Sequence, residues 1–142
     1  MAQFGSYSFK NVNAIFGITE ITGWADGDDC LIVTPAQDRF SKVVGAKGDV
    51  IRSASNDFSV EITIKLLQTS DTNRALNATR ILDGETGTGI APFIYTNTAT
   101  GESYFVKNAW IAKMPTVTRG RNQNVMQWTL HGDSSVFLSE VV

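Results

Sequence analysis

Residues 58–70 read FSVEITIKLLQTS, and their alternation constrains the fold more tightly than any other stretch of the chain. Phe58, Val60, Ile62, Ile64 and Leu66 occupy one parity, and Ser59, Glu61, Thr63 and Lys65 the other. A period of two places these sets on opposite faces of a β-strand, one dry and one wet. The same pattern returns later, where Met126, Trp128 and Leu130 interleave with Gln127, Thr129 and His131. Two such strands require a sheet covered on one side. What the wet side looks at, bulk water or a space enclosed by the protein, is the question the alternation raises.

Alternating or β-branched segments recur with turn-forming residues between them, which predicts a mainly β chain whose antiparallel sheet is stacked or closed as a sandwich or barrel. Strands are expected at about 6–16, 18–24, 30–34, 58–67, 91–97, 103–113 and 123–131, with weaker ones near 38–44, 115–119 and 135–140. FIYTN and ESYFVKNAWIAK flank TATG as a hairpin, and PTVT and NVMQWTL read as a second one joined by Arg119, Gly120, Arg121 and Asn122. One segment breaks the rhythm. SDTNRALNATRILDG carries Ala75, Ala78, Thr79 and Leu82 at helical spacing, with Ser70 as N-cap and Gly84 as stop, predicting one short helix over 70–83. Its thin stripe suits a helix laid over one end or face of the sheet.

Residues 35–57, between two strands, form a long protruding loop in this reading. They contain Asp38, Arg39, Lys42, Lys47, Asp49, Arg52 and Asp57, with Phe40, Val43, Val44 and Ile51 interspersed. Loops of that length inside compact units are uncommon and tend to be functional. Mixed charge with scattered apolar groups reads as a docking arm.

At 142 residues the chain is expected to form one domain, residues 1–142. It has 12 basic against 14 acidic residues, so no overall positive field draws it to nucleic acid. Only 18% of residues are charged, below the usual ~25%. The N-terminal stretch lacks a basic segment followed by an apolar run, and no window approaches the ~18 apolar residues of a membrane span, so neither secretion by a visible signal nor membrane embedding is expected. The single cysteine, Cys30, excludes an internal disulfide and is expected to be a buried thiol.

Catalytic and cofactor signals fail one by one. His131 is the only histidine, so His-based metal clusters are excluded and a catalytic triad would rest on HGDSS, a strand end where turn residues are expected anyway. GETGTG follows a helix and lacks the lysine of a phosphate loop. Asp26, Asp28 and Asp29 lack calcium-loop spacing. The acceptor-like Asn77 sits in a helix. Trp24, Trp110, Trp128, Tyr7, Tyr95 and Tyr104 lie on strands without the basic interleaving of a base-stacking platform. No enzyme, no cofactor and no metal is expected. The work must be done by surfaces, and exposed sheet edges invite further copies of the chain.

Three stretches carry a resemblance: FGSYSF, GAKGDVIRSASNDFSVEITIKLLQTSDTNRAL and AKMPTVTRGRNQNVMQWTLHGD. They resemble the tail tube protein of contractile-tailed bacteriophages, a family related to the tubes of pyocins and of type VI secretion. LLQTSDTN is the most specific part. Asp71 stands where relatives often have Pro, and an acidic residue suits the first turn beside the positive helix end equally well. The resemblance implies a structural virion protein without enzymatic activity or cofactor, forming hexameric rings stacked into a hollow tube. The helix would lie outside and the sheet would contribute to an inner barrel. It implies as partners other copies of the chain, the sheath, baseplate and terminator proteins, and the tape measure protein in the lumen. DNA would pass without specific binding. The protein would reside in the virion tail after assembly in the host bacterial cytoplasm.

On that resemblance the wet face looks into the lumen, lined by Ser59, Glu61, Thr63, Lys65, Gln127, Thr129 and His131, while Phe58, Val60, Ile62, Ile64, Met126, Trp128 and Leu130 pack beneath the helix. Lys65 is expected to be offset by Glu61 or a neighbouring strand. Asp38, Arg39, Phe40, Lys42, Lys47, Asp49, Ile51 and Arg52 become the ring-stacking loop. The alternative from another class is a monomeric β-barrel that binds a small apolar ligand in an internal cavity.

Overall fold

The computed structural model describes residues 5–138. A single 3-10 turn, Phe9–Asn11, leads into strands β1 (Val12–Phe16), β2 (Thr19–Glu20), β3 (Leu31–Pro35), β4 (Phe40–Val44), β5 (Val50–Ala54) and β6 (Val60–Leu67). The helix α1 (Asp71–Thr86) follows, then β7 (Ala91–Asn97), β8 (Glu102–Lys113), β9 (Val125–Gly132) and β10 (Val136–Leu138). The main sheet runs β2-β1-β7-β8-β9-β6-β3, with β10 on β8 beyond the end of β9, and β4-β5 is a separate two-stranded sheet. All pairings are antiparallel.

The alternation of β6 is realised residue by residue. Val60, Ile62, Ile64 and Leu66 are buried, and Trp128 and Leu130 join them from β9. Ala14, Phe16, Phe93, Val106 and Ala109 complete the core from β1, β7 and β8. Each large apolar side chain removed from water stabilises the fold by about 1.5–3 kcal/mol, so this inner face supplies most of the driving force. Phe58 departs from the expected pattern. It lies ahead of β6, 48% exposed, because the chain has already left the sheet there, and its ring packs under the guanidinium of Arg39 at 4.5 Å.

The expected strand at 18–24 changes partners midway. Ile21 still donates its amide to Ala14, whereas Gly23 accepts from Leu67 and Ala25 donates to Lys65. The segment therefore crosses from β1 to β6 and ties the two ends of the sheet together. Gly23 makes the crossing possible: its φ is +71°, and a Cβ would run into the Ser70 side chain.

Helix α1 begins where expected. The Ser70 hydroxyl accepts from the Thr72 amide and donates to the Thr22 carbonyl at 2.6 Å. It runs past Gly84 to Thr86, and the left-handed cap is Gly87 at φ 70°; a lone glycine weakens a helix without ending it, and only Gly87 takes the terminating conformation. The buried stripe is Thr72 and Leu76 instead of one through Ala78 and Leu82, which is 48% exposed. The reason is polar. Thr72 Oγ1 accepts from the Thr22 amide at 2.9 Å, and Asn73 Oδ1 accepts from the buried Trp128 indole at 2.8 Å, so the first turn fixes the roll of the helix.

Other expectations need adjusting. Residues 6–11 turn and coil before β1 begins, and 115–119 form no strand, since β9 takes β8 and β6 as its neighbours and leaves no edge for them. β5 was not foreseen, and within 135–140 the strand is Val136–Leu138, residues 139 and 140 lying outside the described residues. The β7–β8 hairpin around TATG stands as read, with Asn97 facing Glu102.

Candidate functional site

Three surfaces follow from this layout. The first is the wet face of β6 and β9. Register places Glu61 opposite His131, Thr63 opposite Thr129 and Lys65 opposite Gln127, so six residues picked from two separate stretches of sequence share one face. All are exposed or half-buried. Ile32 and Thr34 extend the face from β3, opposite Thr63 and Glu61. Trp110 of β8 meets the His131 ring edge to face at 6.3 Å. Sequence reading missed these three, although the alternation of β3 and β8 would have placed them once pairing was known. Ser59 sits just before β6, its amide and hydroxyl both donating to Asp57 Oδ1, which holds that carboxyl below its ordinary range.

Lys65 is offset by Asp29 at 2.7 Å, just ahead of β3, rather than by Glu61. The hydrogen bond and the charge of Lys65 lower the Asp29 pKa. With that pair neutral, Glu61 is the remaining carboxylate of the face, and Lys113 of β8, opposite Thr129, is a cation at its border. The helix lies on the other side of the sheet, as the Trp128–Asn73 bond from the buried parity of β9 requires.

The second surface is the hairpin β4–β5. Every residue of both strands is exposed, with Val43, Val44, Val50 and Ile51 between 57% and 66%. Register pairs Phe40 with Ala54, Lys42 with Arg52, and Val44 with Val50 on one face, leaving Ser41, Ser53, Val43 and Ile51 on the other. Arg52 stacks on Phe40 at 4.0 Å. Asp38 and Arg39 precede β4, and Lys47 and Asp49 lie in the turn between the strands. Among the described residues the one ion pair is Lys65–Asp29, so no hairpin charge is paired with another described residue.

The third surface was not foreseen. A cleft of about 780 Å³ opens between the start of β3 and the β7–β8 side of the sheet, lined by Trp24, Leu31, Val33, Tyr95, Tyr104 and Phe137 among others, with Asp26, Asp28 and Glu102 also on its walls. Tyr95 donates to Glu102 Oε1 at 2.8 Å; its partial burial first, and then that carboxylate, push its pKa up to about 12. Cys30 also lines the cleft, and its thiol donates to the Ala25 carbonyl at 2.8 Å. Burial, reinforced by Asp29, raises its pKa.

The residues considered for chemistry do not converge. His131 is exposed on a strand against Trp110, and Asp133 accepts from the amide and side chain of Asn108, which lower its pKa. No three His, Cys, Asp or Glu side chains gather as a metal site among the described residues, and no described helix is long and apolar enough to cross a membrane.

The fold is similar to that of tube-associated proteins of contractile injection systems. A chain of the sheath/tube terminator of an extracellular contractile injection system, PVC, in its extended state superposes with a TM-score of 0.64 at 12% identity, covering 96% of this chain and 99% of that one. A chain of the PVC sheath-tube complex gives 0.58 at 14%, covering 94% and 92%. The anti-feeding prophage tube-terminating cap gives 0.58 at 13%, covering 98% and 95%. No curated protein sequence matches the chain. The profile described as Bacteriophage PhiTE tail tube protein matches residues 4–135, and with nearly the whole chain inside that match, the protein belongs to this bacteriophage tail tube family, whose members are structural and not enzymatic.

Proposed function

We propose that the chain assembles into hexameric rings stacked as the hollow inner tube of a contractile tail, through which DNA passes. Each copy would act as one tail-tube unit, residues 1–142, with residues 35–57 reaching a neighbouring copy. The observation that carries this reading is the two-sided β6–β9 pair: a polar, nearly neutral face on one side and the helix on the other. Ser59, Glu61, Thr63, Lys65, Gln127, Thr129 and His131 would line the lumen. A wall on which Asp29 offsets Lys65, and Lys113 of β8, opposite Thr129, balances Glu61 in number, suits passage, because tight phosphate contacts would retard DNA.

The edge strand β3 supports closure into a ring. Lys65 donates to the Cys30 carbonyl and Ala36 to that of Ser59, so the backbone groups of residues 31, 33 and 35 point away from β6. Leu31 and Val33 have amides with no partner among the described residues there and Pro35 offers none, which leaves a short edge for a neighbour's strand. The ring-stacking role falls to Asp38, Arg39, Phe40, Lys42, Lys47, Asp49, Ile51 and Arg52. Sheath, baseplate and terminator proteins would bind outside and at the two ends, and the tape measure protein would occupy the lumen. The tube would assemble in the host bacterial cytoplasm and reside in the virion tail.

Negative-stain imaging of the purified protein across a concentration series tests the assignment. Rings or tubes of uniform width are expected, and Lys47→Ala with Arg52→Ala should shorten or abolish tubes while leaving the circular dichroism spectrum unchanged. The cleft favours a second reading, a monomeric barrel holding a small apolar ligand. A small particle that never grows with concentration would select it.

A further inference from the structure

The hairpin leaves from one end of the β3–β6 pair, and the cleft is lined from the other end and from the middle of β3. β3 runs from Leu31, at the cleft, to Pro35, where the chain leaves for the hairpin, and β6 returns from Val60 to Leu67, which lines the cleft again. On β6 the lining residue is Leu67, at the far end of that eight-residue strand from Val60, and on β3 the lining reaches from Leu31 to Val33. The hairpin therefore leaves the sheet from the end of β3 and β6 opposite to Leu31 and Leu67. A contact between the hairpin of one copy and the cleft of another joins unlike surfaces head to tail, the geometry that propagates along an axis.

Charge identifies the meeting faces. Lys42 stands directly across from Arg52, an arrangement that destabilises a strand pair, and neither has a carboxylate partner in its own chain among the described residues. Residues 38–52 carry four basic side chains against two acidic ones in a chain that is acidic as a whole. The cleft carries the complement, Asp26 and Asp28 exposed at its mouth and Glu102 inside, around a floor that includes Trp24, Leu31 and Tyr104. On the hairpin the two cations are flanked on the same face by Phe40 and by Val44 and Val50, an apolar–cationic–apolar pattern. The other face, with Val43 and Ile51 between serines, has no charge to offer an acidic rim. A cleft of about 780 Å³ has room for a few side chains but not for a whole two-stranded arm.

We propose that the Lys42–Arg52 face of the β4–β5 hairpin docks on the cleft of the next copy in the stack, the two cations meeting Asp26, Asp28 and Glu102 while Phe40 or the Val44–Val50 pair enters the apolar floor. The proposal rests on the stacked-ring reading and supplies it with a receptor site. Each contact is modest alone and gains from repetition around every ring.

Charge exchange with cross-linking provides the test. Lys42→Glu with Arg52→Glu, and separately Asp26→Lys with Asp28→Lys, should each raise the protein concentration needed for sedimentable tubes by about tenfold or more, with an unchanged circular dichroism spectrum. The four-fold variant carrying both reversals should recover most of the loss. In a Cys30→Ala background, a Val44→Cys chain mixed with an Asp28→Cys chain should give the mixed disulfide on mild oxidation. If both reversal variants form tubes like the wild type and no mixed disulfide appears, the docking site is wrong while tube assembly stands. If the wild type stays a single subunit at every concentration, docking and tube assembly both fall, and an apolar fluorescent probe in the cleft would then report the ligand-binding barrel.

Discussion

Cys30 shows how a side chain is silenced by its surroundings. Buried, with its proton committed to the Ala25 carbonyl and Asp29 next to it, the thiol resists becoming the thiolate that reacts. The native protein should therefore react with a chromogenic disulfide reagent at pH 8 far more slowly than the unfolded chain, at least about tenfold, and equal rates would place the thiol in contact with solvent. Tyr95 carries a pH signature. Its pKa rises to about 12 in the fold, so the proton is held more tightly in the native state than in the unfolded one. The stabilisation this gives is complete below the unfolded value near 10 and is lost as pH rises through about 12. Tyr95→Phe should flatten the decline of stability over that window, and the difference in tyrosinate absorbance between wild type and variant should have its midpoint near 12.

Among the elements, α1 is held by polar contacts more than by its thin apolar stripe. Ser70→Ala removes an N-cap and a tertiary hydrogen bond together, and a loss of about 1–2 kcal/mol in denaturant unfolding is expected. Asn73→Ala strands the indole N–H of a buried tryptophan and should cost about 1–3 kcal/mol, with a blue- or red-shifted Trp128 emission reporting the changed partner. If neither substitution lowers the unfolding midpoint, the helix is seated by Leu76 alone. The helix start was legible in SDTN because capping is local chemistry. Its roll was not, because a threonine and an asparagine chose the buried face where a hydrophobicity count selects Ala78 and Leu82.

For the whole molecule, the proposed tube with the polar β6–β9 face as its wall makes a prediction about transport. Thr129→Lys adds a cation to the face opposite Thr63 without touching the core. Tubes should form as before, and particles carrying the variant should release DNA more slowly, with the deficit shrinking as salt is raised. Unchanged release at low salt would put that face somewhere other than the lumen. Much of the candidate surface was readable in advance: the strict parity of residues 59–65 and 127–131 selected side chains that β6 and β9 bring into direct register. The arm at 35–57 was readable as a protrusion, because few large apolar groups left it nothing to pack against the core. Its second strand was hidden, since VIRSA has neither strong alternation nor a cover.

The sequence by itself determined which residues could be dry and where the main strands and the helix begin. Those properties depend on period and on local capping, which act over a few residues. The tertiary structure alone decided the partner of Lys65, the crossing at Gly23 that ties β1 to β6, and the acid-lined cleft beside the start of β3. Each joins residues tens of positions apart, and a strand carries no local record of which neighbour will satisfy its backbone amides. That choice is made only when the whole sheet closes over its buried face.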